Sequence, residues 1–289
     1  MKSLRSLPLV LFAAFALQAC ATPMVAEPTA PVAAALPAAR HVELPVAGRT
    51  VDVSVFDAVG QPAAVIFLSH GAGSSPERLM PLIGKLQRAG LTVLAPLHAD
   101  SLLIAEAERQ DLQTAFMSRM AELQAVSAYA QQQYPELPLG GLGHSYGSLI
   151  ALMGGGALDS MLHARVPAMK AVAMFSSPGP IPGLTATPGA LDMVAVPTLT
   201  ITGPKDVAQP FASDPAVQIA QFDALPAGDN TLLVVDGSSH AFVYGEEGGY
   251  DDAIGLVTDF LLSRVAGNAG ATRRFDDARS SDWIEIRRR

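Results

Sequence analysis

Gly143-His144-Ser145-Tyr146-Gly147 stands between an apolar run, Leu139 to Gly143, and a second apolar stretch that reads as a helix from Tyr146 onward. A serine between two glycines at a strand-to-helix junction constrains the backbone more than any other feature of the chain. The turn is tight and strained, so a side chain two residues to either side of the serine would collide with neighbouring backbone. Glycine avoids that collision. The serine hydroxyl is then exposed at the C-terminal edge of a sheet and at the start of a helix. The helix dipole there favours the negative charge that develops when a hydroxyl attacks. A purely structural strand-to-helix turn would use the same glycines, so the rest of the chain has to decide.

That chain alternates. Strand-like runs are read at His41 to Val46, Thr50 to Phe56, Ala63 to Ser69, Leu91 to Pro96, Leu139 to Gly143, Lys170 to Ser176, Val196 to Gly203 and Thr231 to Asp236. Helical patterns are read at Pro76 to Ala89, with Ser75 as cap and Gly90 as stop, at Ala105 to Gln133 with one break, after Tyr146, and at Asp251 to Val265. Strands alternating with helices imply right-handed crossovers, hence an α/β fold with a mostly parallel central sheet flanked by helices. With 289 residues, 49% of them hydrophobic, the chain is long enough for one large domain with a full core. The Pro- and Gly-rich stretch between Ser176 and Val196 is too short for a large cap domain and predicts a loop. A formal net charge of −8 argues against nucleic acid as a partner, because phosphate binding needs a basic face.

The first residues predict export. Lys2 and Arg5 precede the apolar Leu7 to Leu17, which is too short to span a bilayer stably. "LQAC" follows, ending in Cys20, the single cysteine of the chain, so no intramolecular disulfide forms. Residues 1–19 read as a signal peptide and 20–40 as an Ala/Pro tether. Residues 41–265 read as the catalytic domain and 266–289 as a polar, frayed tail, with a docked extra strand at Trp283 to Ile286 as the weaker alternative.

Ser145 needs a base, since a free hydroxyl is a poor nucleophile. Elbows of this kind are followed in chain order by an acid and then a histidine. Only His163 and His240 follow Ser145. His163 sits in "DSMLHARVP", a solvated segment, whereas His240 lies in a polar loop after the last predicted strand. Seven aspartates and no glutamate separate Ser145 from His240. Asp206, in "GPKD" after a strand, is at the sheet edge where open α/β sheets collect active groups. Asp236 ends a strand and suits a backbone cap better. "SHGAGSSPE", Ser69 to Glu77, supplies glycines that let backbone N–H groups approach a substrate. The oxyanion donors are expected from Ala72, with Gly71 as the alternative, and from Tyr146. No GK[ST] follows, so these glycines do not form a phosphate loop. His70 reads as a loop stabiliser. His98, in "PLHADS", reads as a weak substrate contact at the site mouth or as a strand-end residue.

Taken together, "VIFLSHGAGSSPERLMPLIGKLQRAGLTVLAPLHADS", "GLGHSYGS", "TLTITGPKD" and "GSSHAF" resemble the α/β-hydrolases, most closely the dienelactone-hydrolase-like and chlorophyllase-like serine esterases. The resemblance spans about Val42 to Val265. It implies the fold, a Ser145–Asp206–His240 triad and hydrolysis of an ester-like bond, with no metal or organic cofactor. Beside it, the short loop between Ser176 and Val196 is expected to shape the acyl pocket and suits small or medium esters. It does not imply a particular substrate. Dienelactone hydrolases proper often use a cysteine nucleophile where this chain has Ser145. Polyester-degrading relatives place a tryptophan beside the site, and none lies between Val42 and Val265, which points away from aromatic polymers. "LQAC" similarly resembles a bacterial lipobox, with Gln18 where a small residue is usual. That implies lipidation of Cys20 and a lipid anchor in a membrane of the cell envelope. Cleavage near Ala19 or Ala21 with a free secreted product is the alternative. A peptidase or amidase on the same fold, or a non-catalytic surface-anchored binding module, are the competing functions. The presence of serine, aspartate, histidine and glycine loop together argues against the module.

Overall fold

A computed structural model describes residues 35–208 and 212–289. The signal segment, Cys20 and the first part of the tether lie outside them. In chain order the elements are β1 (Arg40–Val46), β2 (Arg49–Phe56), β3 (Ala64–Ser69), α1 (Met80–Arg88), β4 (Leu91–Pro96), α2 (Leu112–Gln133), β5 (Leu139–His144), α3 (Tyr146–Gly154), α4 (Asp159–Leu162), β6 (Met169–Phe175), β7 (Thr198–Thr202), α5 (Ala216–Ala224), β8 (Asn230–Val235), α6 (Tyr250–Arg264), α7 (Ala269–Asp277) and β9 (Ile284–Arg288).

The strands form one sheet in the order β1-β2-β4-β3-β5-β6-β7-β8-β9. Ala47 and Gly48, both at positive φ, make the two-residue turn that joins β1 to β2 as a hairpin. From β4 to β8 every neighbouring pair is parallel. A parallel strand is covered on both faces by crossover helices and so reads as a continuous apolar run. Ala64–Ser69 and Leu91–Pro96 are indeed buried at every position. Successive side chains go to opposite faces: Ile66 and Leu68 join the core under α1 and α6, while Val65 and Phe67 join the core under α2 and α3. On α6, Ala253, Ile254, Val257, Phe260 and Leu261 recur at helical spacing and are buried. Burying each of the larger ones contributes roughly 1.5–3 kcal/mol as an upper bound.

Three expectations change. Ser75 makes no side-chain cap: Pro76–Leu79 first form a 3₁₀ turn and α1 begins at Met80. The helical pattern at 105 does not become helix until Leu112, because the Asp111 carboxylate accepts the Thr114 N–H at 2.8 Å and sets the start there. The tail does not fray; of its two readings the docked strand is the one the structure has, at Ile284–Arg288. Asn268 caps α7 by accepting the Ala271 N–H, Phe275 packs 5.4 Å from the Phe260 ring, and β9 pairs antiparallel with β8. Arg264 joins α6 to this tail through Asp276. Among the described residues no helix is long and apolar enough to cross a membrane.

Candidate active site

Ser145 sits between the end of β5 and the start of α3 with φ 53° and ψ −122°, a conformation that non-glycine residues rarely adopt. Its N–H donates to Phe175 O at 2.9 Å, which ties the turn to β6. Both flanking glycines are required by space. A Cβ at Gly143 would lie 2.2 Å from Gly147 O, and one at Gly147 would lie 2.0 Å from Ser69 O. The elbow therefore depends on close backbone approach on both sides.

Asp206 follows β7 and is fully buried. One carboxylate oxygen accepts the Thr202 hydroxyl at 2.9 Å. The other accepts His240 Nδ1–H at 2.8 Å. His240 lies in the loop after β8, and its side chain stays 26% exposed. Glu247 fixes that loop by accepting both the Ser239 N–H and the Ser239 hydroxyl. Asp236 is exposed, donates its N–H to Trp283 O and takes no part in this arrangement. His163 is exposed as well.

His144, the residue before the serine, donates Nε2–H to the His240 carbonyl at 3.0 Å, and the two rings stand 4.9 Å apart. Burial pushes its pKa down to about 4, so the ring is neutral around pH 7.

Ser145 and His240 border one cavity of about 490 Å³, within the range of small-molecule sites. Ala72 and Tyr146 border it too. Leu112 and Phe116 from α2, and Pro178, Ile181 and Leu184 from the loop after β6, make its walls apolar. Among the described lining residues no aspartate, glutamate, lysine or arginine occurs.

The remaining candidates lie behind this wall. His70 is buried, donates Nδ1–H to Gly71 O at 2.8 Å and accepts the His98 N–H at 3.1 Å, which is a loop-stabilising role. His98 does not border the cavity. Burial holds it neutral, its Nδ1–H donates to Glu122 at 2.5 Å, and its Nε2 accepts the Ser69 hydroxyl at 2.7 Å. α2 covers the end of β4 and seals this histidine off. Gly71 is also off the cavity wall: a Cβ there would meet His144 Nδ1 at 3.0 Å and Ser145 Cβ at 3.3 Å.

Sequence reasoning missed Asp100, Arg119 and Glu122, all buried beside these histidines. Burial alone would raise the Asp100 carboxyl, but two hydrogen bonds from Arg119 and its charge outweigh this and hold it at about 2. Burial does prevail at Glu122, lifting its carboxyl to about 7 against the opposing charges of Arg119 and Arg49.

No protein-family model matches the chain, and no curated protein does. Solved structures do match. A dienelactone hydrolase from Anabaena variabilis shares 23% identity and a TM-score of 0.60, over 80% of this chain and 100% of its own. An α/β serine hydrolase without a lid from Xanthomonas campestris shares 17% identity and a TM-score of 0.58, over 78% and 95%. A thermostable carboxyl esterase from Bacillus coagulans shares 14% identity and a TM-score of 0.60, over 79% and 99%. The fold is the α/β-hydrolase fold. Within an α/β-hydrolase sheet, β5 ends in the elbow serine, β7 leads to Asp206 and β8 leads to His240, all at the C-terminal edge of the parallel strands.

Proposed function

We propose that this chain is a serine carboxylester hydrolase for uncharged esters of small to medium size. The observation that carries the reading is the His240–Asp206 hydrogen bond at 2.8 Å beside a cavity that Ser145 and His240 share. Ser145 Oγ attacks the ester carbonyl carbon while His240 Nε2 takes the hydroxyl proton. Asp206 holds the Nδ1–H and stabilises the imidazolium. The carbonyl oxygen gains negative charge and is received by the Ala72 and Tyr146 N–H groups. Collapse breaks the bond to the alcohol, which leaves with the proton from His240 and gives an acyl-Ser145. Water then attacks the acyl carbon, His240 takes its proton, and the acid and free Ser145 are released. The apolar walls suit a hydrocarbon acyl group, and a carboxylate-bearing one would be desolvated there without a cationic partner among the described lining residues. The hydrolase and esterase identities of the structural neighbours favour the same reading.

The test is p-nitrophenyl butyrate hydrolysis with fluorophosphonate labelling. Ser145→Ala should abolish both in a folded protein. Asp206→Asn should lower kcat on the order of 10⁴-fold, and Asp236→Asn should change it little. Wild-type turnover in folded Ser145→Ala would sink the proposal.

A further inference from the structure

Arg119 lies in the middle of α2 and has no exposed surface. A buried ion pair is weak evidence for stability, since apolar residues of similar volume often serve as well or better. What the guanidinium touches is more specific. Nε and Nη2 donate to the two oxygens of Asp100 at 2.8 and 2.9 Å. Nη1 donates to His70 O at 2.6 Å and, longer, to Ser69 Oγ at 3.4 Å. Nη2 donates to Gly71 O at 3.2 Å. These five contacts use all five N–H groups of the arginine. Asp100 in turn accepts the Gly73 N–H at 3.1 Å. The pair therefore binds the backbone of His70, Gly71 and Gly73, on both sides of Ala72.

One of these contacts has direct consequences for chemistry. The Gly71 carbonyl and the Ala72 N–H belong to the same planar peptide, in which a trans bond sets them in opposite directions. Gly71 O accepts from Arg119, from His70 and, in a local turn, from the Ser74 N–H at 3.1 Å, and the two buried side chains hold it toward the interior. The Ala72 N–H must then point the other way. Donors on the carbonyl also polarise the peptide and strengthen its N–H as a donor. The second oxyanion donor meets the same cation: the Arg119 guanidinium carbon lies 4.7 Å from the centroid of the Tyr146 ring. The Tyr146 hydroxyl anchors that ring to α2 by donating to Leu112 O at 2.8 Å.

We infer that Arg119 is the positioning residue of the oxyanion hole, setting the direction of the Ala72 N–H through the Gly71 carbonyl and its distance from Tyr146 through the ring. The inference rests on the proposed roles of Ala72 and Tyr146. Among the described residues only Arg119 both bonds to the carbonyl of the Ala72 peptide and lies against the ring of Tyr146, so its loss should act on the transition state and not on substrate binding.

The experiment compares wild type with Arg119→Lys, which keeps charge without the planar fork, and with Asp100→Asn, which keeps Arg119 but weakens its anchor. For each, kcat and KM are measured with p-nitrophenyl butyrate, with the inhibition constant of butylboronic acid, which forms a tetrahedral adduct on a nucleophilic serine. Thermal unfolding is followed in parallel. Arg119→Lys should lower kcat about 10- to 100-fold with KM within about two-fold, and boronate affinity should fall in proportion to kcat/KM. Asp100→Asn should show the same split at smaller size, and it alone decides the matter where Arg119→Lys does not fold. Folded variants with lowered melting temperature but unchanged kcat and boronate affinity overturn the inference, as does a loss carried by KM alone. Wild-type protein that hydrolyses no ester would instead overturn the esterase reading itself.

Discussion

Replacing Gly147 by alanine tests how far the elbow depends on backbone contact. The added Cβ would sit 2.0 Å from Ser69 O, 2.5 Å from Ser69 C and 2.7 Å from His70 O. Ordinary contact begins at 3.4 Å, so the nearest atom has to retreat by about 1.4 Å, the difference between 3.4 and 2.0. No side-chain rotation relieves this, because every atom struck is main chain. Nor is that main chain free to move: Ser69 pairs with Gly143 in the sheet, and His70 O is held by Arg119. Overpacking of this kind costs about 1–3 kcal/mol of stability. A displacement of about 1 Å at the reacting centre costs on the order of 10²-fold in rate. The variant should therefore unfold at lower urea and show kcat/KM for p-nitrophenyl butyrate reduced by about 10²-fold. Gly255→Ala in α6 is the control, because its Cβ would meet nothing within 4 Å. There alanine should add up to about 1 kcal/mol through helix propensity and leave activity unchanged. Gly147→Ala with the wild-type urea midpoint and wild-type kcat/KM would refute the reasoning.

Two further outcomes are expected. Glu122 has its folded pKa raised from 4.5 to about 7, so folding favours the protonated acid, and a penalty grows as pH rises through that window and is complete above it. Melting curves from pH 5 to 8 should show wild type losing up to about 3 kcal/mol relative to Glu122→Gln, and parallel pH profiles would disprove this. Deleting residues 279–289 removes β9, opens the β8 edge and loses the burial of Ile284, worth roughly 2 kcal/mol by itself. That variant should melt lower and aggregate on heating, and an unchanged melting temperature would show that β9 is dispensable.

The strand-helix alternation was legible because parallel strands buried on both faces stay apolar at every position, as in "AVIFLS" and "LTVLAP". The placement of Ser145, Asp206 and His240 at one sheet edge was legible because each follows such a run, and the fold brings the ends of those runs together. Arg119 and Glu122 were not. A charged residue in a helix reads as solvated unless its partners are known, and here they are Asp100 and Arg49, from other parts of the chain. The tail misled for a related reason. α7 and β9 bury only Ala271, Phe275 and Ile284, with Ile286 half-buried, so their apolar signal is thin and their charges are paired across elements. His98 shows the limit from the other side: a histidine at a strand end belongs to the cavity or to the interior according to which helix covers it.

β9 emerges from the ribosome after every other strand of the sheet, yet it pairs directly with β8, the strand that leads to His240. The carbonyl that receives the Asp236 N–H belongs to Trp283, at the approach to β9. Without Trp283 to Arg288 the outer edge of β8 is open and the Asp236 N–H lacks its carbonyl. At about 5–20 residues per second, the 48 residues from His240 to Arg288 take roughly 2–10 s to add. Synthesis order itself delays closure of the β8 edge until that last strand is translated.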